Sequence, residues 1–169
     1  MVENIYAPWR KDFIEKKELK EEGCIFCNRS KLLPQLESLV VFKDKYSFIL
    51  LNKYPYNNGH LMVAPYKHTH DLSHLSVDEY TEIMKNIILS AEVLKEAYNP
   101  QGFNIGMNIG AVAGAGVADH LHWHIVPRWG GDTNFMPIIS NTKVLHEILS
   151  ETFDRIYPIF QRMKEKSKI

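Results

Sequence analysis

The sequence predicts an α+β fold: an antiparallel sheet of about five strands, with one long helix packed on it and a second helix at the C-terminus. Three observations predict it. Short apolar runs of strand length, parted by turn residues, follow one another over residues 39–65. A single long amphipathic stretch comes next, and period-two alternation then returns twice before a final helical stretch. A chain of 169 residues with 45% hydrophobic and 24% charged residues is large enough for one core, and its composition shifts nowhere, so one domain is expected over 1–169. Within it, 1–38 is an N-terminal arm, 39–140 the core that carries the chemistry, and 141–169 the C-terminal helix.

In chain order, Leu39–Phe42 and Ser47–Leu51 have strand length, and YPYNNG at Tyr54–Gly59 is a turn-rich link into a third strand, HLMVAP. These make an antiparallel meander. In SVDEYTEIMKNIILSAEVLKEAYNP, Ser76 and Glu79 have capping-box spacing. Tyr80, Ile83, Met84, Ile87, Ile88, Ala91 and Leu94 recur at helical spacing as a core-packing stripe. The helix stops at Asn99-Pro100, because the residue before proline is pushed out of the helical region. FNIGMNIG then sets Phe103, Ile105, Met107 and Ile109 on one strand face. Asn104, Gly106, Asn108 and Gly110 fall on the other, a face poor in side chains that lets a ligand approach the backbone. AVAGAG leads into DHLHWHIVPRWGG, where His120, His122 and His124 share one side of a strand and Leu121, Trp123 and Ile125 the other. A second helix from about Thr142 to Lys166 uses Val144, Leu145, Ile148, Leu149, Phe153 and Ile156, with Pro158 as a kink.

Twenty basic and twenty acidic residues give a formal net charge of +0, which excludes a nucleic-acid coat or an acidic tail. The N-terminal MVENIYAPWRKDF carries charges and a proline where a signal peptide needs an apolar run. No segment approaches the roughly 20 apolar residues of a membrane helix. A cytoplasmic protein without membrane or nucleic-acid partners is expected.

Three alternating imidazoles admit three readings: a solvated strand face, a metal site, or a nucleophile with helpers. Two histidines at i and i+2 can clasp one zinc. The outer pair of three would have Cα atoms roughly 13 Å apart in a regular strand, too stretched for one tetrahedral centre, so the roles divide. One imidazole can instead attack phosphorus while its neighbours orient it and handle protons. The glycine loop before it suits phosphate oxygens, which exposed backbone N–H groups can cradle. GCIFC places Cys24 and Cys27, the only cysteines, at the spacing of a zinc knuckle. A thioredoxin-type pair needs a strand-to-helix junction in a parallel sheet, and a structural disulfide conflicts with the cytoplasmic reading. Zinc needs two further ligands, from among His68, His70, His74 and His120.

HLHWHIVPR resembles the signature of the histidine triad superfamily of nucleotide hydrolases and transferases. ILLNKYPYNNGHLMVAPYKH at Ile49–His68 is similar to that family's "N…P…GH…P…H" segment, and FNIGMNIG with its small-residue loop to the strand before the triad. The resemblance implies that His122 attacks the α-phosphorus and forms a covalent nucleotidyl-histidine, while His124 hydrogen-bonds phosphate oxygens and helps the leaving group take a proton. Histidine rather than glutamine at 124 separates the chain from the sugar-1-phosphate uridylyltransferase branch. By the same likeness His60 is the additional active-site histidine, Asn52 contacts ribose, Asn108 sits near the phosphate chain, and Gly114 and Gly116 lie along it. Zinc-bearing relatives imply a closed structural site of Cys24, Cys27, His68 and His120, with His70 the alternative third ligand and His74 left to solvent. PRWGGDTNFMPII resembles the tail of bacterial triad proteins that cleave diadenosine tetraphosphate, with Arg128 to balance phosphate charge and Trp129 to stack or shape the site. Phosphorylases of that substrate are expected to have a serine in the loop where this chain has Ala115-Gly116. The implied substrates are adenine nucleotides and dinucleoside polyphosphates, and the implied assembly a homodimer, with YAPWR at Tyr6–Arg10 over the base or against the partner. Two other readings remain: a metallohydrolase with all three triad histidines on its metal, and a purine-nucleotide-binding regulatory module.

Overall fold

The computed structural model describes residues 22–132 and 145–166. YAPWR, the stretch Thr133–Ile139 and the start of the expected C-terminal helix at Thr142–Val144 lie outside them. Among the described residues the strands are β1 (Val40–Lys43), β2 (Ser47–Leu51), β3 (Leu61–Pro65), β4 (Gly102–Gly106) and β5 (Trp123–Arg128), and the helices α1 (Ile25–Ser30), α2 (Val77–Tyr98) and α3 (Leu149–Lys166). The strands form one antiparallel sheet in the order β1-β2-β3-β5-β4. This is the α+β architecture expected.

Antiparallel sheets commonly leave one face to water, yet every residue of β2 and β3 is buried. Ile49, Leu51, Leu61, Val63 and Ile125 point into a large core shared with α2 and α3. Their alternates Phe48, Leu50, Met62 and Ala64 meet Phe26 of α1 in a smaller cluster on the opposite face. A register shift between Val40 and Phe42 puts Val41 and Phe42 together in the large core and Val40 in the small one. The functional residues lie on the α1 side.

The helix α2 has both halves of the Ser76–Glu79 capping box and ends on Asn99 in the left-handed region. Its buried face differs from the expected stripe: Ile83, Ile87, Val93 and Leu94 are inside, but Tyr80, Met84 and Ile88 are exposed. Polar Asn86 and Ser90 take the inner positions, because Asn86 donates to Ser47 Oγ (2.8 Å) and Ser90 to the Asn86 carbonyl (2.7 Å). The C-terminal helix starts at Leu149, and 145–148 are not helical. There the Glu147 carboxylate takes hydrogen bonds from Tyr98, Thr152 and Arg155, which fold this stretch back onto α2. Past its start, α3 runs on through Pro158.

Two strand expectations shorten. FNIGMNIG is strand only to Gly106, and Ile105 and Ile109 are exposed. The histidine segment is strand only from Trp123. Leu121 N–H bonds the Thr69 carbonyl (2.7 Å), and His120 is drawn out of the ladder by its own partners. Alternation survives this irregular approach, since Leu121 and Ile125 enter the large core.

Candidate active site and metal cluster

The three triad histidines are locked by three different partners, and each lock fixes a tautomer. His120 Nε2 lies 2.9 Å from the Pro65 carbonyl, which only accepts, so Nε2 carries the proton and Nδ1 the lone pair. His122 has the reverse arrangement: its Nδ1 donates to the His120 carbonyl (2.9 Å), leaving Nε2 unprotonated. For His124 the assignment passes through a relay. Tyr56 N–H donates to His60 Nδ1 (3.0 Å), so neutral His60 is protonated on Nε2 and donates to His124 Nδ1 (3.0 Å); the proton of His124 then sits on Nε2. An unprotonated nitrogen and an N–H donor thus stand on neighbouring rings, 4.9 Å apart between centroids. His60 is fully buried and holds this order because Gly59, at φ +75, turns the chain into β3 where a Cβ would come within 2.9 Å of Leu94.

Cys24, Cys27, His68 and His120 bring one ligand atom each within 4.8 Å of one another. Separations are 3.3 Å for Cys24 Sγ–His120 Nδ1 and Cys27 Sγ–His68 Nδ1, 3.6 Å for Cys27 Sγ–His120 Nδ1, and 3.2 Å between the two Nδ1 atoms. Zinc bonds of roughly 2.0–2.3 Å imply tetrahedral edges of about 3.3–3.8 Å, so the donor set fits that ion. The His120 Nε2–H bond to Pro65 is the outer contact that a ligating histidine normally has. These four residues form a possible metal site. His70 is not in the cluster, and His74 is exposed as expected, with its Nδ1 against Thr69 Oγ1 (3.0 Å). Because the triad rings take separate partners, they do not converge on one cation.

A pocket of about 310 Å³ opens beside the rings, lined by Ile25, Phe26, Leu50, Asn52, Met62, Gly114, Gly116, His122 and His124. Asn52 reaches His60 Nδ1 with its amide (3.3 Å) and accepts Tyr54 N–H (2.9 Å). Asn108 donates to the Gly114 carbonyl (3.3 Å), pinning the loop in which Gly114 has φ +87. Arg128 and Trp129 are not at this pocket. They lie at the far end of β5, roughly 13 Å along the strand from His124. The Arg128 guanidinium is engaged by Asp132 (2.6 and 2.9 Å) and Asn104 (2.6 Å), while Trp129 meets Tyr98 edge-on and lines a separate cleft with Asn57 and His146. The expected contacts of Arg128 and Trp129 with substrate thus gain no support from the lining of this pocket. Sequence reasoning missed Phe26 and the Tyr56 amide. Only the position of Phe26 between the two cysteines could have marked it.

Burial sets the electrostatics. It lowers the pKa of His120 and His122, and burial followed by the charge of His122 takes His124 from 6.5 to about 4. Neutral rings keep the tautomers above. Burial and then Cys24 raise the Cys27 thiol, as expected where two thiols share a site that a cation would neutralise.

A family model described as the HIT domain matches residues 34–131. The chain is 38% identical over 157 residues to an AP-4-A phosphorylase of Mycobacterium tuberculosis, covering 89% of this chain and 80% of that one. Among solved structures, it is similar to a hypothetical histidine triad nucleotide-binding protein from Sulfolobus tokodaii, with TM-score 0.63 and 31% identity over 86% of this chain and 94% of that one. A zinc-bound histidine triad family protein from Mycobacterium smegmatis shares the fold, with TM-score 0.66 and 24% identity over 85% and 97%. No helix among the described residues is long and apolar enough to cross a membrane.

Proposed function

The chain belongs to the HIT domain family, and from that premise we propose that it is an enzyme that cleaves dinucleoside polyphosphates such as diadenosine tetraphosphate through a nucleotidyl-histidine on His122. The observation that carries this reading is the tautomer order: a lone pair on His122 Nε2 beside an N–H on His124 Nε2, in one pocket. His122 Nε2 attacks the α-phosphorus, an N–P bond forms as the P–O bond to the remaining polyphosphate breaks, and His124 donates to the departing oxygen. The polyphosphate departs as its anion, its new charge held by the His124 Nε2–H hydrogen bond, and the His122 ring keeps its Nδ1 proton on the His120 carbonyl. His60, with Asn52 bonded to it, keeps His124 in register. Gly114 and Gly116, braced by Asn108, give the chain of phosphates a close approach to backbone. The acceptor then attacks the adduct: phosphate yields ADP, water yields AMP, and ATP leaves first in either case. The likeness to an AP-4-A phosphorylase favours phosphate, while Ala115 and Gly116 bring no hydroxyl to the loop.

Zinc is the proposed occupant of the Cys24–Cys27–His68–His120 cluster, where it would tie the 1–38 arm to the 39–140 core of a single domain that also carries α3. A thiolate site of this kind suits a reducing compartment, the cytoplasm. The working unit is a homodimer, for reasons of the sheet edge given below.

Rapid-quench incubation with α-labelled diadenosine tetraphosphate tests the reading. An acid-labile, base-stable adduct on His122 is expected, and His122→Ala is expected to lose it together with roughly 10⁴-fold or more in kcat while retaining its metal. Release of ADP only when phosphate is added identifies phosphorolysis, and AMP in both conditions identifies hydrolysis. Nucleotide binding without any adduct would replace the enzyme by a regulatory module.

A further inference from the structure

The metal cluster and the nucleotide pocket share two structural parts. One is His120, whose ring nitrogen belongs to the cluster while its carbonyl sets the tautomer of His122. The other is α1. At six residues it is far too short to hold itself in water, so its orientation comes from what fastens it. Lys43 Nζ bonds the Ser30 carbonyl (2.6 Å) at its C-terminal end. At its N-terminal end Cys24 and Cys27 bracket Phe26, which is only 2% exposed. The Phe26 ring centroid stands 5.2 Å from that of His120 and 4.7 Å from that of His122, and the same ring forms part of the pocket wall.

We propose that Phe26 is a positioning residue for His122 and the coupling element between metal and nucleotide, so that each ligand strengthens binding of the other; this rests on the nucleotide reading above. Ligation of both cysteines holds the short helix docked, and docked α1 presses the Phe26 ring against the nucleophile and completes the wall that a base contacts. A nucleotide selects the same docked state, and coupling between two sites is reciprocal.

The test uses zinc-loaded full-length protein and adenosine 5′-monophosphate as the probe. Transfer of zinc to a chromogenic chelator is expected to slow about tenfold at saturating nucleotide, within the usual range of such couplings. Phe26→Leu keeps apolar volume without a flat face. It is expected to hold one zinc and still bind nucleotide, but to lose the slowing and to shift the ¹⁵N ring signals of His122. Phe26→Tyr, which keeps the ring, restores both. Equal zinc transfer with and without nucleotide in the wild-type chain overturns the coupling whether or not any variant folds. Slowing that persists in Phe26→Leu overturns the role of Phe26, because general stabilisation by ligand would survive that change. If the nucleotide binds and the His122 adduct forms while zinc transfer is indifferent, the coupling alone falls. If no nucleotide binds the loaded protein, both the coupling and the function proposed above fall.

Discussion

Each histidine of the triad is defined less by its own position than by the atom that bonds its second nitrogen. A carbonyl acceptor leaves Nε2 of His122 unprotonated, as the proposed nucleophile needs, and a ring acceptor-donor pair through His60 leaves His124 with an N–H to donate. The same burial that keeps these rings neutral also makes the fold sensitive to acid. His124 has a folded pKa of about 4 against 6.5 outside the fold, so the unfolded chain takes up a proton that the native state refuses. Stability from this ring is whole above about pH 7 and is lost as the pH falls from about 6.5 towards 4. Urea midpoints recorded at pH 7.5 and pH 5 should therefore drop less for His124→Gln than for the wild-type chain, a comparison in which acid effects on the other groups cancel. An equal drop in both would show that His124 is protonated in the native state, and the tautomer relay from Tyr56 would then be wrong.

At the scale of elements, the ends of α2 were easier to read than its faces. Ser76 accepts Glu79 N–H while Glu79 returns a bond to Ser76 N–H, and both partners were visible as a four-residue pattern. Ser76→Ala is expected to cost about 1 kcal/mol in chemical denaturation without changing turnover, since the cap lies away from the histidine pocket. A loss of turnover at unchanged stability would refute that separation. The buried face of α2 was not legible, because Asn86 is carried inside by Ser47, which is 39 residues earlier and on a strand. Likewise the delayed start of α3 depends on Glu147 finding Tyr98, and the pairing of the Arg128 guanidinium depends on Asp132 and Asn104 reaching it. Local patterns gave caps, strand alternation and the cysteine pair. Long-range hydrogen bonds decided which side faced inward, and no periodicity encodes them. Within the site, spacing alone marked the alternating histidines and the cysteine pair, the resemblance to the triad family picked out His60, His68 and His120, and Phe26 became visible only once α1 was docked on the sheet.

For the whole molecule, the two edges of the sheet are unequal. The outer side of β1 is covered: Gln35 bridges to Val40, and α3 packs along the strand. Nothing among the described residues pairs with the outer side of β4, and Ile105 there is 48% exposed, followed by Ile109 at 49%. A flat apolar edge of this kind templates further pairing unless it is blunted, and no proline or bulge interrupts Gly102–Gly106. A second copy across a two-fold axis closes the edge against itself, β4 antiparallel to β4, making one continuous sheet and burying both Ile105 side chains. Because Gly106 stands opposite His124 in the β4–β5 ladder, the seam would run one strand away from the triad rings. Light scattering is accordingly expected to give twice the chain mass, and Ile105→Lys, which places a charge on each side of the two-fold, to give the single chain mass with its zinc cluster retained. A wild-type chain that stays monomeric at concentrations well above those of the assay would leave this edge without its partner and remove the homodimer from the proposal.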